Sequence, residues 1–173
     1  AVKSFPLVSK RCREAMLTLK TNPIWFWDDP NDILKLFPNI NTMVIDSFAD
    51  LSEIDQLTDT VTAVIVKWLD FTTLEEELLT LADRVVEIGD NNADQKHPAD
   101  FSLFPNLERL TLEQVPDNFT LPNHTLKHLT VRFEQGHADQ MALFPPECSE
   151  QMTFVFTSLR GFRKAKKKQL SPN

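Results

Sequence analysis

Phe104-Pro105-Asn106-Leu107-Glu108-Arg109-Leu110-Thr111-Leu112 is the stretch from which the fold can be read, and Leu126-Lys127-His128-Leu129-Thr130-Val131 repeats its core. Both segments read apolar-x-x-apolar-x-apolar. Their second halves alternate apolar and polar, as a strand with one buried face requires. Weaker copies stand at Ile40-Met43-Ile45, Val61-Val64-Val66 and Val86-Ile88, with a last one at Phe154-Phe156. The final apolar residues fall at 45, 66, 88, 112, 131 and 156, which gives steps of 21, 22, 24, 19 and 25 residues. A strand cue at a near-fixed period predicts a solenoid, because each unit has an apolar face that only a stacked neighbour covers. Parallel neighbours need a crossover of a dozen or more residues, and these steps supply it. The expected fold is α/β: a short solenoid with one small parallel sheet of five or six strands, helices and loops on the convex side, and an N-terminal helical cap.

Outward from the two clear copies, the phrase Leu-Phe-Pro-Asn stands directly before a strand cue at Leu36-Phe37-Pro38-Asn39 and at Leu103-Phe104-Pro105-Asn106. Leu143-Phe144-Pro145-Pro146 echoes it. Proline there stops the preceding segment and sets an extended start. Among the connections, Phe71 to Leu81 is helical in pattern, with Leu74, Leu78 and Leu81 on one stripe and Thr73 as cap. A second short helix, Ile33 to Phe37, is expected behind a cap at Asp32. Toward the N-terminus, Val8, Cys12, Ala15, Met16 and Leu19 recur at helical spacing behind Ser9, a candidate N-cap, and Asn22-Pro23 closes that helix. The resulting division is an N-terminal cap over 1–35, repeats over 36–159 and a flexible basic tail over 160–173.

Charge is segregated along the chain. Residues 1–20 carry five basic groups and one acid, and from Arg160 onward there are six basic groups and none acidic. The net charge of -7 therefore hides a middle with 7 basic and 24 acidic residues. Such a body repels phosphate backbones, so nucleic acid is not the expected partner except through the tail. Lys166, Lys167 and Lys168 are the candidate targeting run in that tail. Two widely separated cysteines and no visible signal peptide point to the cytoplasm or nucleus. No apolar run approaches the roughly 20 residues of a membrane span.

Candidate chemistry is sparse. Only three glycines are present and no phosphate-binding glycine loop occurs. His124 and His128 lie on a strand cue, where a four-residue separation spans about 13 Å, beyond the reach of one ion. Cys148 has no orienting partner in the sequence, and a lone thiol is more often a small apolar filler. The expectation is no catalytic residue, no metal and no cofactor.

The period and the LxxLxL core resemble the leucine-rich-repeat family over about Leu36 to Leu159, most clearly between Leu103 and Phe133. The residue that the family usually places after the core is not regular here, since Ser47-Phe48, Asp90-Asn91 and Gln114-Val115 stand at those positions. A second segment, Leu7-Val8-Ser9-Lys10-Arg11-Cys12-Arg13-Glu14-Ala15 followed by Asn22-Pro23-Ile24-Trp25, looks like the second half of an F-box. The leucine–proline-led helix that precedes it in that family would lie upstream of Ala1. This resemblance implies contact with a ubiquitin-ligase adaptor through Leu7, Val8 and Trp25.

In an alternating strand, the residues between the apolar ones point to the opposite face. Across the copies these form a ladder in which Val44, Asp46, Ile65, Lys67, Arg109, Thr111, Glu113, His128, Thr130 and Arg132 are the candidate partner-binding residues. Its apolar end lies in the early repeats and its charged end in the later ones. The function expected from this surface is protein–protein interaction, as the substrate-recognition part of an F-box-type receptor if the resemblance holds. A regulatory or targeting domain of a larger signalling protein, and a nucleic-acid binder acting through its tail, are the alternatives.

Overall fold

Six parallel strands make one sheet in which every strand is hydrogen-bonded to the next long strand of the chain. The computed structural model describes residues 9–22, 30–45, 60–69, 79–90, 98–134 and 138–157. In chain order the strands are β1 (Thr42–Ile45), β2 (Ala63–Leu69), β3 (Val85–Asp90), β4 (Ala99–Asp100), β5 (Arg109–Leu112), β6 (Phe119–Thr120), β7 (Leu126–Glu134) and β8 (Ser149–Thr157). The large sheet runs β1-β2-β3-β5-β7-β8, and the two-residue strands β4 and β6 pair separately, also in parallel. The molecule is thus α/β with a mostly parallel six-stranded sheet and few helices.

One face of this sheet carries the core. Met43 and Ile45, Val64 and Val66, Ile88, Leu110 and Leu112, and Leu129, Val131 and Phe133 are buried in a single apolar cluster. The connections feed the same cluster through Ile33, Phe37, Phe101, Phe104, Val115 and Phe144. That arrangement follows from handedness: parallel crossovers are right-handed, so a strand order that advances steadily in one direction keeps its crossovers on one face. All three phenylalanines of the Leu-Phe-Pro phrases are buried, as the proline-set turns require. Phe37 and Phe104 each accept a backbone bond three residues on, from Ile40 (3.3 Å) and Leu107 (3.2 Å).

Several turns that lead into strands are tied by a side chain to the backbone of the preceding segment. Asn39 Nδ2 donates to the Leu17 carbonyl and Asn106 Nδ2 to the Asp83 carbonyl, both at 2.7 Å. Arg84 Nη1 donates to the Val61 carbonyl at 3.0 Å, and His124 Nε2 lies 2.7 Å from the Leu107 carbonyl. The asparagine of Leu-Phe-Pro-Asn is therefore a cross-link between neighbours as well as a turn residue. Pro146, at the matching position of the third phrase, lacks the amide to do so.

The helices depart from the sequence reading in two respects. Helix α1 (Lys10–Thr18) is capped as expected, with Ser9 Oγ accepting from the Cys12 N–H at 3.1 Å. Among the described residues of its supposed apolar face, however, only Met16 is buried, while Ala15 and Leu19 are exposed. Helix α2 spans Pro30–Leu36, so Asp32 lies inside it and is not its cap. Proline suits a first helical position because its missing N–H would have had no partner there. Short 3-10 turns at Ala82–Arg84, Phe101–Leu103, Ala138–Leu143 and Pro146–Cys148 occupy connections between strands. Thr73, Leu74 and Leu78 of the expected third helix lie outside the described residues.

Candidate interaction face

The register decides which ladder residues stand side by side. Reading across the sheet, Val44, Ile65, Glu87, Arg109, His128 and Gln151 form one row. Gly89, Thr111, Thr130 and Thr153 form the next, and Arg132 pairs with Val155 beyond it. The period reading had placed Ile88 level with Leu112. The structure corrects this: Ile88 pairs with Leu110, and Leu112 pairs with Asp90.

Polar Asp90 stands opposite Leu112, so the apolar run of β3 ends at Ile88, one core position early. A separate irregularity lies between β2 and β3. Val64 and Ile65 pair with Val85 and Glu87, which leaves Val86 as an extra residue on β3. Val66 and Leu69 then pair with Ile88 and Asp90, which leaves one extra residue on β2. These are irregularities of bulge type, one on each strand, so the ladder regains its alignment after the second. Gly89 sits at that crossing. A Cβ placed on it would lie 2.3 Å from the Lys67 carbonyl oxygen, so the backbones approach there at a distance only glycine permits.

The charged half of the ladder is internally paired. Lys67 Nζ lies 2.6 Å from Glu87 Oε1, and Arg109 Nη1 lies 3.6 Å from Glu87 Oε2. Glu87 thus bridges β2 and β5 from the strand between them. One strand further on, Arg132 Nη1 meets Glu113 Oε2 at 2.9 Å. All five side chains keep substantial solvent access, so each pair contributes little to stability. Thr111, His128 and Thr130 lie among them, half-buried. At the strand starts, Lys127 Nζ meets Glu108 Oε1 at 2.6 Å. The hydrogen bond from Lys127 holds the Glu108 carboxyl below the usual carboxylate range.

The apolar end differs from the expectation of an open strip. Val44 is only 5% exposed and is the one buried aliphatic side chain, among the described residues, outside the core cluster. Its backbone is also occupied. Asn22, itself 3% exposed, accepts from the Val44 N–H through Oδ1 at 2.7 Å and donates to the Val44 carbonyl through Nδ2 at 2.8 Å. Lys20 O accepts from the N–H groups of Asn41 (2.9 Å) and Thr42 (3.1 Å), and Thr21 bridges to Thr42. Residues 20–22 therefore finish the outer edge of β1. Ile65 remains half-buried on the ladder face.

Asp46, Leu7, Val8, Trp25, Lys166, Lys167 and Lys168 lie outside the described residues. Sequence reading missed the buried role of Asn22, whose partner is 22 residues away. It also missed the continuation of the ladder onto Gln151, Thr153 and Val155, since the last copy was identified by its phenylalanines alone. Among the described residues no group of three or more His, Cys, Asp or Glu side chains is placed to hold a metal ion. Cys12 and Cys148 are free thiols, and burial followed by the charge of Glu147 pushes the Cys148 thiol up, away from thiolate reactivity. No helix among the described residues is long and apolar enough to cross a membrane. Compared with protein-family models, curated proteins and solved structures, the chain matches none of them.

Proposed function

We propose that the chain is a non-enzymatic protein-interaction module of leucine-rich-repeat type, a short stack of repeats whose ladder face binds a protein partner. The observation that carries this reading is the surface itself. Lys67, Glu87 and Arg109, and then Glu113 and Arg132, stand in fixed pairs on one face, beside a field of half-buried Thr and His side chains. Pre-oriented charges on a rigid sheet set the register of a bound partner and steer its approach more than they add affinity. With the resemblance of the N-terminal segment, the module is the substrate-recognition part of an F-box-type ubiquitin-ligase receptor.

The test is affinity capture from lysate with the unaltered chain and with the double variant Arg109→Glu, Arg132→Glu. The reversed charges repel Glu87 and Glu113 and present the wrong sign to the partner, so the captured protein should be lost. Equal capture by the double variant would move the binding surface elsewhere on the molecule.

A further inference from the structure

The two outer edges of the six-stranded sheet are finished differently. At β1 the outward backbone groups are met by Lys20 and Asn22. At β8 nothing among the described residues pairs with the outer edge. Which groups point outward follows from the ladder. Ala63 donates to Asn41 and His128 to Glu108, so residues of those rows direct their backbone groups to the preceding strand. In a parallel ladder the alternate residues direct theirs to the following strand. Carried along the regular β7–β8 register, Gln151, Thr153 and Val155 bond back to β7, while Met152, Phe154 and Phe156 present N–H and C=O outward.

The side chains tell the same story. Leu129, Val131 and Phe133 of β7 are buried, whereas their partners Met152, Phe154 and Phe156 are only partly covered, with Phe156 39% exposed. The apolar row is left open at the position where another strand would close it. This strand is nine residues long, contains neither lysine nor proline, and Glu150 is its one charged residue. Native edges are normally blunted by such residues, so an edge of this kind is built to be paired.

We propose that β8 is a self-association edge, pairing antiparallel with β8 of a second copy across a two-fold axis. Pairing about Phe154 sets Met152 of one copy opposite Phe156 of the other. The outward backbone groups then face each other, and the two apolar rows join into one. Aromatic cross-strand pairs of this kind add to the ladder bonds. Charge selects the same occupant. The sequence that follows β8 is basic from Arg160 onward, and antiparallel pairing brings the end of each strand to the start of the other, where Glu147 and Glu150 are exposed. A two-fold pair also uses up both edges and closes, which a head-to-tail contact would not.

Sedimentation equilibrium of the full chain tests this. The expected result is a concentration-dependent particle of twice the 19.9 kDa chain mass. Phe156→Lys places a charge in the paired row and should leave a monomer with unchanged far-ultraviolet circular dichroism. Glu150→Lys alters only an exposed side chain and should shift the equilibrium toward monomer, more strongly at low salt. If Phe156→Lys disturbs folding, Glu150→Lys decides alone. A monomer at every concentration, a dimer that neither variant weakens, or growth beyond two copies would each overturn the proposal.

Discussion

Asn22 shows how much a single side chain can settle at the end of a sheet. Its amide makes the two bonds that a neighbouring strand would have made to Val44, at 2.7 and 2.8 Å. With Asn22 and Val44 both buried, water has little access to replace those bonds. A buried donor or acceptor left without a partner costs about 1–3 kcal/mol. Asn22→Ala is therefore expected to lower unfolding stability by about 2 kcal/mol, seen as a lower urea midpoint at an unchanged m-value. Asn22→Asp should cost at least as much, because a carboxylate has no proton for the Val44 carbonyl and is itself expensive to bury. Equal midpoints for Asn22→Ala and the unaltered chain would show that the clamp is replaced by water. In the sequence Asn22 stands before Pro23 and reads as a helix stop. Its larger role was not legible because the partner lies a whole repeat away.

At the scale of elements, the period located the strands and misjudged how some of them align. The cues near 45, 66 and 88 fall on β1, β2 and β3, and the two clear copies fall on β5 and β7. Apolar spacing misaligns strands where a core-facing position is polar, as at Asp90 opposite Leu112, and it does not record extra residues either. The irregularities around Val86 and Gly89 are of the second kind. What marks them in the sequence is glycine itself, in the middle of Val85-Val86-Glu87-Ile88-Gly89-Asp90, where a strand interior otherwise disfavours it. Gly89→Ala tests the close approach. The added methyl meets the backbone oxygen of Lys67 rather than a movable side chain, so β2 and β3 must separate. Overpacking of this kind costs about 1–3 kcal/mol, more than the small entropic gain from replacing glycine. The expected result is a lower thermal midpoint with faster amide exchange in β2 and β3. A neutral or stabilising Gly89→Ala would mean that the two strands lie further apart than the structure places them.

For the molecule as a whole, the decisive property is that strands and connections share one core cluster, from Met16 and Ile33 near the N-terminus to Phe144 before β8. A segment that reads in the sequence as a separate cap thus lends its buried side chains to the same interior as the strands. Damage at one strand is felt at a distant one only if the interfaces between neighbouring strands are strong enough to couple them. The chain offers a natural probe of that coupling, since its three tryptophans, at positions 25, 27 and 68, all precede β3. Leu110 lies in β5, 1% exposed at the centre of the core row. Leu110→Ala is expected to cost about 2–5 kcal/mol through lost burial and the cavity left behind. If the core unfolds as one piece, tryptophan fluorescence must report that loss in full, with its urea transition coincident with the transition in circular dichroism. A fluorescence transition that stays in place while circular dichroism moves would divide the molecule between β2 and β5. The ladder face, which spans that interval through Lys67, Glu87 and Arg109, would then lose the rigidity that the proposed role in recognition requires.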